Sequence, residues 1–141
     1  MEKGYALITG ASQGLGRAIA LQIAERGYGI IAVARTRVKL EETAAACRAL
    51  NGGRVRIVEA DLTAPDAISK LAADVISSGV QLDIVVNNAG EAIWGRFAEK
   101  PLADHLRMMK LNMTVPVELT HLLIPHLKQT KCAYILNIGR M

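Results

Sequence analysis

Three glycines near the start of the chain have the spacing of a phosphate-binding turn. Gly10, Gly14 and Gly16 follow the apolar run 5–9 and lead into a segment with helical apolar spacing. Gly10 allows a sharp turn, Gly14 lets backbone approach a pyrophosphate, and Gly16 lets a helix pack closely against a sheet. Unpaired N–H groups at the start of that helix attract phosphate oxygens. The segment therefore predicts a site for a nucleotide diphosphate.

Context strengthens this interpretation of the glycines. Their spacing, G-x-x-x-G-x-G, has one residue more between the first two glycines than the common dinucleotide fingerprint. Gly27, however, stands where the following helix would end in a left-handed cap. Two other interpretations fail. Ser12 lies in a G-x-S-x-G string typical of hydrolase nucleophiles, but no earlier strand and no placed histidine supports it. Arg17 and Ala18 stand where a nucleoside triphosphatase loop needs Lys and Ser or Thr.

Polar residues follow three further apolar runs, at the predicted sheet edge where such folds bind ligands. Arg35 follows the second run, where an acidic residue would bind the ribose hydroxyls of NAD. A guanidinium suits the 2′-phosphate of NADP instead, and the alternative is a surface arginine. Asp61 follows the third run and either accepts a hydrogen bond from an adenine amino group or caps a turn. Asn87 to Gly90 follow the fourth run as either a cofactor-side loop that ties neighbours together or an ordinary loop.

Strand and helix signals alternate along the whole sequence, which predicts a doubly wound parallel sheet. Continuous apolar runs predict strands near 5–9, 29–34, 54–60, 82–86 and 133–138. Helices are expected at 15–26, 37–50, 66–78 and 102–129. The last is interrupted near Asn112 and Pro116, where the proline predicts a kink. The fold class is therefore α/β, a doubly wound parallel sheet with helices on both faces.

Composition bounds the function classes. A chain of 141 residues with 51% hydrophobic residues fits one domain, residues 1–141. It has no apolar run of about 20 residues and no signal-peptide pattern, so we expect a cytoplasmic protein without membrane contact. The net charge of +4 is dispersed and aromatics make up 4%, which disfavours a nucleic-acid partner. Cys47 and Cys132 are expected to be reduced packing residues, and we expect no metal site. The histidines are expected at the surface or an interface: His105, His121 and His126.

These motifs together resemble the short-chain dehydrogenase/reductase family. Thr9 to Gly16 look like its T-G-x-x-x-G-x-G turn, Asn87 to Gly90 look like its N-N-A-G motif, and Asn112 looks like its helix-borne catalytic Asn. The resemblance implies a Rossmann-type sheet in the order 3-2-1-4-5 and hydride transfer between a nicotinamide dinucleotide and a small carbonyl or alcohol substrate. Arg35 favours NADP(H), with NAD(H) as the less favoured cofactor. It also decides the choice at Asp61 in favour of the cofactor. The implied cofactor-binding residues are Gly10, Ser12, Gln13, Gly14, Leu15, Gly16, Arg35, Asp61, Leu62, Asn88, Ala89 and Gly90.

The same resemblance shows which residues are missing. Family members act through a Ser, a Tyr and a Lys, but the last serine here is Ser78, and no tyrosine is followed four residues later by lysine. Arg140 and Met141 stand where the catalytic serine would follow. We therefore expect the N-terminal part of a longer dehydrogenase, inactive alone. The alternative is a non-catalytic dinucleotide-binding or interaction module, and truncation, frameshift and true loss all remain open.

The predicted sheet is incomplete at its C-terminal side. Its fifth strand, 133–138, would present an unpaired apolar edge to similar edges. The resemblance adds that the long helix 102–129 contacts a partner subunit in family members. We therefore expect a homo-oligomer.

Overall fold

Five strands and five α-helices alternate in the computed structural model, which describes residues 2–139. Arg140 and Met141, where the resemblance would place the catalytic serine, lie outside the described residues. A 3-10 turn at Phe97–Glu99 and a π turn at Lys110–Thr114 complete the described elements. The main elements are β1 (Tyr5–Thr9), α1 (Gly14–Glu25), β2 (Gly29–Ala34), α2 (Arg37–Asn51), β3 (Val55–Glu59), α3 (Ala67–Ser77), β4 (Leu82–Asn87), α4 (Leu102–Met109), α5 (Val115–Leu127) and β5 (Tyr134–Asn137).

The strands form one parallel sheet in the order β3-β2-β1-β4-β5, which confirms the predicted topology. Alternate residues of the strands point to opposite faces. Leu7 and Val85 belong to a core shared with α3 and α5, whereas Ala6 and Ile8 belong to a second core shared with α1 and α2. Because helices cover both faces of the central strands, these strands are mostly apolar, and their buried polar residues are Thr9, Asp83 and Asn87.

The long helical segment is interrupted where expected, but by a π turn before Pro116 rather than by a kink at the proline. A kink was predicted at Pro116, and the structure has the π turn Lys110–Thr114 immediately before it. Pro116 has no N–H to donate to the carbonyl of Asn112, four residues earlier. The wider π turn accommodates that missing bond, and such turns often lie at functional sites. Asn112 is therefore carried on an irregular part of the helix.

Two expectations about single side chains are wrong. His105 is buried rather than at the surface, because its ring stacks on Phe97 with centroids 4.2 Å apart and a ring nitrogen contacts the Phe97 carbonyl at 2.9 Å. Cys47 packs in the core as predicted, whereas Cys132 is exposed just before β5. The burial of His105 depends on its contacts with the preceding 3-10 turn, which its position in the sequence does not indicate.

The apolar pattern of the long segment divides between core and surface. Its buried positions are spaced four apart, namely Leu111, Val115, Leu119, Leu123 and Leu127. Most of its other large apolar side chains are exposed, including Leu102, Leu106, Met109, Met113 and Val117. Among residues 2–139 there is no helix whose length and apolar character would let it cross a membrane.

Candidate functional site

A cavity of about 310 Å³ opens at the carboxyl ends of β1 to β4. The predicted cofactor-binding residues line it, with the exception of Gly16. Val33, Ala34, Thr36, Ala60, Arg107 and Leu111 complete its walls. The topology explains this convergence, because the carboxyl ends of parallel strands meet at one edge of the sheet.

The glycine turn is built as its spacing requires. Gly10 and Gly14 have φ angles of +66° and +57°, in the left-handed region that favours glycine. A Cβ on Gly16 would overlap the Gly10 carbonyl oxygen and the Asn88 side chain. Gly16 thus packs the start of α1 against the turn, as expected, and does not face the cavity.

The N-terminus of α1 lies at the cavity wall. Gln13, its N-cap residue, is extended and makes no side-chain capping hydrogen bond, and the first turn contains no acidic residue. The Gln13 side chain instead accepts a hydrogen bond from Lys39 Nζ at 3.0 Å. The helix start therefore presents uncapped N–H groups and the positive end of its dipole, which suits an anion.

Thr9 joins the glycine turn to the loop after β4. Its buried hydroxyl oxygen accepts hydrogen bonds from the N–H groups of Asn88 at 3.0 Å and Ala89 at 2.9 Å. Asn88 Nδ2 donates in turn to the Gly10 carbonyl at 3.2 Å. The sequence showed that amides in this loop would tie neighbours together, but it assigned no such part to Thr9. A hydroxyl at the last residue of a buried strand was the available signal.

Arg35 lies at the end of β2 with an exposed side chain that lines the cavity. Within residues 2–139 its guanidinium has no ion-pair partner, whereas the nearby Arg37 pairs with Glu41 at 3.0 Å. Asp61 is the one acidic residue among the cavity-lining residues that the structure describes. The mouth of the cavity near Arg35 therefore carries uncompensated positive charge.

Asp61 is held in a fixed orientation by the residue two positions later. Its Oδ1 accepts hydrogen bonds from the Thr63 hydroxyl at 2.7 Å and the Thr63 N–H at 3.0 Å. The pKa of the Asp61 carboxyl lies below its ordinary value, chiefly because of the Thr63 hydroxyl, with the Thr63 N–H and Arg107 adding to the effect against partial burial. Asp61 thus makes the turn contact and also lines the cavity, so its two interpretations are compatible.

Arg107, on α4, is a cavity residue that the sequence did not reveal. Its Nη1 donates to the Thr63 hydroxyl and lies 3.5 Å from Asp61 Oδ2, and its Nε lies 3.5 Å from Glu91 Oε1. Lys110 adds a hydrogen bond from Nζ to the Thr63 carbonyl at 2.8 Å. In the sequence both residues look like solvated helix charges, and nothing in their spacing indicates these contacts.

Asn112 borders a second cavity of about 720 Å³. Its side chain brackets Glu91: Oδ1 accepts the Glu91 N–H at 2.9 Å, and Nδ2 donates to the Glu91 carbonyl at 2.8 Å. Its other walls include Asn87 and Asn137 at the ends of β4 and β5 and both apolar and polar residues of α5, namely Pro116, Val117, Thr120, His121 and Ile124. It shares Ala89 and Gly90 with the first cavity, so the two are continuous past the N-N-A-G loop.

Asn87 organises the floor of the second cavity. Its Nδ2 donates to Thr120 Oγ1 at 3.1 Å and to Asn137 Oδ1 at 2.8 Å. These bonds tie β4 to α5 and β5. Asn87 therefore supports the cavity beside Asn112, whereas Asn88 supports the cavity at the glycine turn.

Comparison with known proteins matches this architecture. The family model described as short chain dehydrogenase matches residues 4–141. This chain belongs to the short-chain dehydrogenase family. A fatty acyl-CoA reductase of Acinetobacter baylyi is 40% identical over 136 residues, which cover 95% of this chain and 46% of that relative. The chain thus spans less than half the length of this short-chain dehydrogenase relative.

Solved structures agree with the family. A bulky-bulky ketone specific alcohol dehydrogenase from Comamonas testosteroni matches with a TM-score of 0.91 and 29% identity, covering 100% of this chain and 56% of that one. A short-chain dehydrogenase from Sphingobium yanoikuyae, in complex with NADPH, matches with a TM-score of 0.89 and 33% identity, covering 98% and 54%. Structural relatives of this chain therefore include an NADPH-bound dehydrogenase.

Proposed function

We propose that this chain supplies the NADP(H) site of an oxidoreductase. The observation that carries the proposal is the cavity at the carboxyl edge of the sheet, which combines the glycine turn, the uncapped start of α1 and the unpaired Arg35. Phosphate groups need such a concentration of N–H donors and positive charge. The NADPH-bound relative from Sphingobium yanoikuyae supports the same cofactor class.

In this proposal each part of the site has one task. The glycine turn and α1 bind the pyrophosphate, Arg35 binds the 2′-phosphate, and Asp61 with Leu62 binds the adenine. The nicotinamide end would pass Ala89 and Gly90 into the second cavity, beside Asn112. The cofactor would supply hydride chemistry there with a small carbonyl or alcohol substrate. The chain's own groups bind and orient both molecules.

Titration of NADPH and NADH by calorimetry tests the cofactor preference. Arg35→Glu should weaken NADPH binding by about 10- to 100-fold, since it removes a charge-assisted contact and adds repulsion. NADH binding should stay equal or improve. Arg96→Glu is the matched control, because Arg96 is exposed and pairs only with the nearby Glu99 among the described residues. Equal affinity of the unmutated chain for NADPH and NADH would contradict the proposal.

We further propose that these 141 residues bind cofactor without turning it over. The sequence contains no Tyr-x-x-x-Lys, and the amide of Asn112 cannot transfer the proton that the family's Tyr transfers. Purified chain should leave NADPH absorbance constant with a panel of aldehydes and ketones. Turnover that survives repurification and disappears in Asn112→Ala would refute this.

The rival function is a dinucleotide-binding or interaction module without chemistry. Both hypotheses expect NADPH binding, so binding does not separate them. The encoding DNA does: a Tyr-x-x-x-Lys specified beyond codon 141 in any frame favours the oxidoreductase, whereas its absence from an extended open frame favours the module.

A further inference from the structure

Three segments of the chain meet at the Arg107 guanidinium. Arg107 comes from α4, Asp61 and Thr63 from the loop after β3, and Glu91 from the loop after β4. Both loops form walls of the first cavity, and neither is joined to the other by any strand pairing. Arg107 is therefore a direct polar link between the two walls.

The geometry uses properties specific to arginine. On one side Nη1 donates to the Thr63 hydroxyl and lies 3.5 Å from Asp61 Oδ2. On the other side Nε lies 3.5 Å from Glu91 Oε1. A planar guanidinium directs donors to two places at once, which the single ammonium of lysine does not. Nη2 is buried, with no hydrogen-bond partner among residues 2–139. The side chain is 30% exposed, so the pairs are partly shielded from water.

The contacts continue to the second cavity. The side chain of Glu91 faces Arg107, and its backbone is bracketed by the Asn112 amide at 2.9 and 2.8 Å. A path of polar contacts thus runs from Asp61 through Arg107 and Glu91 to Asn112. Moving Arg107 would remove the ion pair at Asp61 and the ion pair at Glu91 together.

Thr63 closes the other side of this arrangement. Its hydroxyl donates to Asp61 Oδ1 and accepts from Arg107, so the carboxylate is fixed through one oxygen by Thr63 and faces the guanidinium through the other. The carboxylate orientation therefore depends on Arg107 both directly and through Thr63.

We propose that Arg107 is a positioning residue for adenine recognition, which holds the Asp61 carboxylate and the two loop walls in the orientation that binds the 6-amino group. This inference rests on the proposed dinucleotide function. A carboxylate accepts a hydrogen bond from the amino group of adenine but repels the carbonyl oxygen of hypoxanthine. Arg107 would therefore control how well the site distinguishes these two bases.

The test compares NADPH with its hypoxanthine analogue, which differs at that one exocyclic group. Dissociation constants are measured by calorimetry for the unmutated chain, Arg107→Met, Arg107→Lys and the control Arg96→Met. The unmutated chain and the control should favour NADPH by about tenfold or more, the discrimination of one hydrogen bond to a charged group. Arg107→Met should bring the ratio close to one. Arg107→Lys should restore it only in part, because charge returns without the planar fork.

Glu91→Gln is a second, milder variant that keeps the side-chain volume and removes one ion pair. It should reduce the discrimination ratio less than Arg107→Met does, and thermal unfolding of each variant verifies that it is folded. An unchanged ratio in Arg107→Met overturns the inference, as does an equal loss of affinity for both ligands, which indicates a merely structural part. Failure of the unmutated chain to bind NADPH would instead overturn the proposed function, and this inference with it.

Discussion

The strands β2 and β5 belong to the same parallel sheet and are both apolar, yet they have opposite environments. All six residues of β2 are buried, whereas all four residues of β5 are exposed. The strand β2 lies between β1 and β3 and is covered on both faces, while β5 pairs with β4 alone in the part of the chain that the structure describes. Burial here follows the position of a strand in the sheet rather than its own sequence.

The two cavities differ in the same way. The first is surrounded by loops that bind one another through Thr9, Asn88 and Arg107. The second lies between α5 and the exposed β5, and the Asn87 Oδ1 atom at its floor is buried without a hydrogen-bond partner among residues 2–139. The first cavity is thus held by contacts among its own walls, whereas β5 leaves large apolar side chains exposed beside the second cavity.

The largest effect on stability is expected at Gly16, in the glycine turn beside the first cavity. Gly16→Ala places a Cβ against the Gly10 carbonyl oxygen, and backbone cannot move aside as a flexible side chain can. We expect a loss of about 3 kcal/mol in unfolding free energy, together with loss of NADPH binding. Thermal and urea unfolding with calorimetry measure both.

Gly14→Ala is the matched control for that prediction. A Cβ there meets nothing within 4 Å, so only the cost of the left-handed backbone remains, about 1–2 kcal/mol. Equal stability of the two variants would mean that α1 is not held tightly against the turn. The surroundings of the first cavity would then not be more tightly packed than those of β5.

The next effect concerns association through β5. Tyr134, Ile135 and Leu136 are 56%, 41% and 44% exposed and lie on a sheet edge that has no partner strand within residues 2–139. Such an edge pairs with similar edges, so we expect a dimer or larger species at micromolar concentration. Tyr134→Glu with Ile135→Lys should reduce it without changing net charge, as light scattering would show.

The control places the same charges away from β5, as Val38→Lys with Leu50→Glu on α2. Both positions are exposed, at 72% and 44%. This variant should associate like the unmutated chain. A monodisperse unmutated species of 15.2 kDa would show that the edge is not adhesive.

The reactivity of the two cysteines compares the core beside β2 with the surface beside β5. Cys47 lies in the core beneath β2, where burial raises the pKa of its thiol against the opposing charge of Arg17, whereas Cys132 is exposed just before β5. Because the thiolate is the reactive form, a disulfide reagent should modify Cys132 at least about 100-fold faster. Cys132→Ser should leave one slow thiol that reacts on unfolding. Rapid modification of both would show that the β2 side opens readily.

Sequence reasoning reached the fold because each element carries its own signal. The continuous apolar strands, the glycine turn and Gly27 after α1 predict the alternation of strands and helices, and the family resemblance supplies the order of the sheet. The π turn at Lys110–Thr114 was not predicted, because a proline indicates only that a helical bond is missing. How the chain accommodates that loss depends on the packing of its neighbours.

The candidate site likewise contains residues that the sequence predicted and residues that it did not. Arg35 and Asp61 were predicted at this sheet edge because they follow strands, and both line the first cavity. The choice of a cofactor contact for Asp61 came from the family resemblance and stays a prediction. Arg107 and the contacts of Thr9 were missed, since they depend on side chains that meet across segments far apart in sequence. Charged residues on a helix give no indication of which loop they reach.

The smallest effect expected is the pH dependence at Asp61. Its pKa is lowered in the folded chain, chiefly by the Thr63 hydroxyl, from an ordinary value of 3.8. A lowered folded pKa gives stability that is fully present above the unfolded value and is lost as pH falls through the folded value. The side chain is 44% exposed, so solvent screening keeps the contribution below about 1 kcal/mol.

Urea unfolding of cofactor-free chain at pH 7 and at pH 3 measures this contribution. Asp61→Asn should be less stable than the unmutated chain at pH 7. The difference should shrink below pH 3.8, because the carboxyl of the unfolded chain then binds a proton, which the folded chain binds only at lower pH. Asp74→Asn, at an exposed position of α3 with no ion pair among the described residues, controls for loss of a surface charge. A difference between Asp61→Asn and the unmutated chain that is independent of pH would mean that the contacts with Thr63 and Arg107 do not favour the ionised carboxylate. The hydrogen bonds of Asp61 would then contribute less to the stability of the first cavity than their geometry indicates.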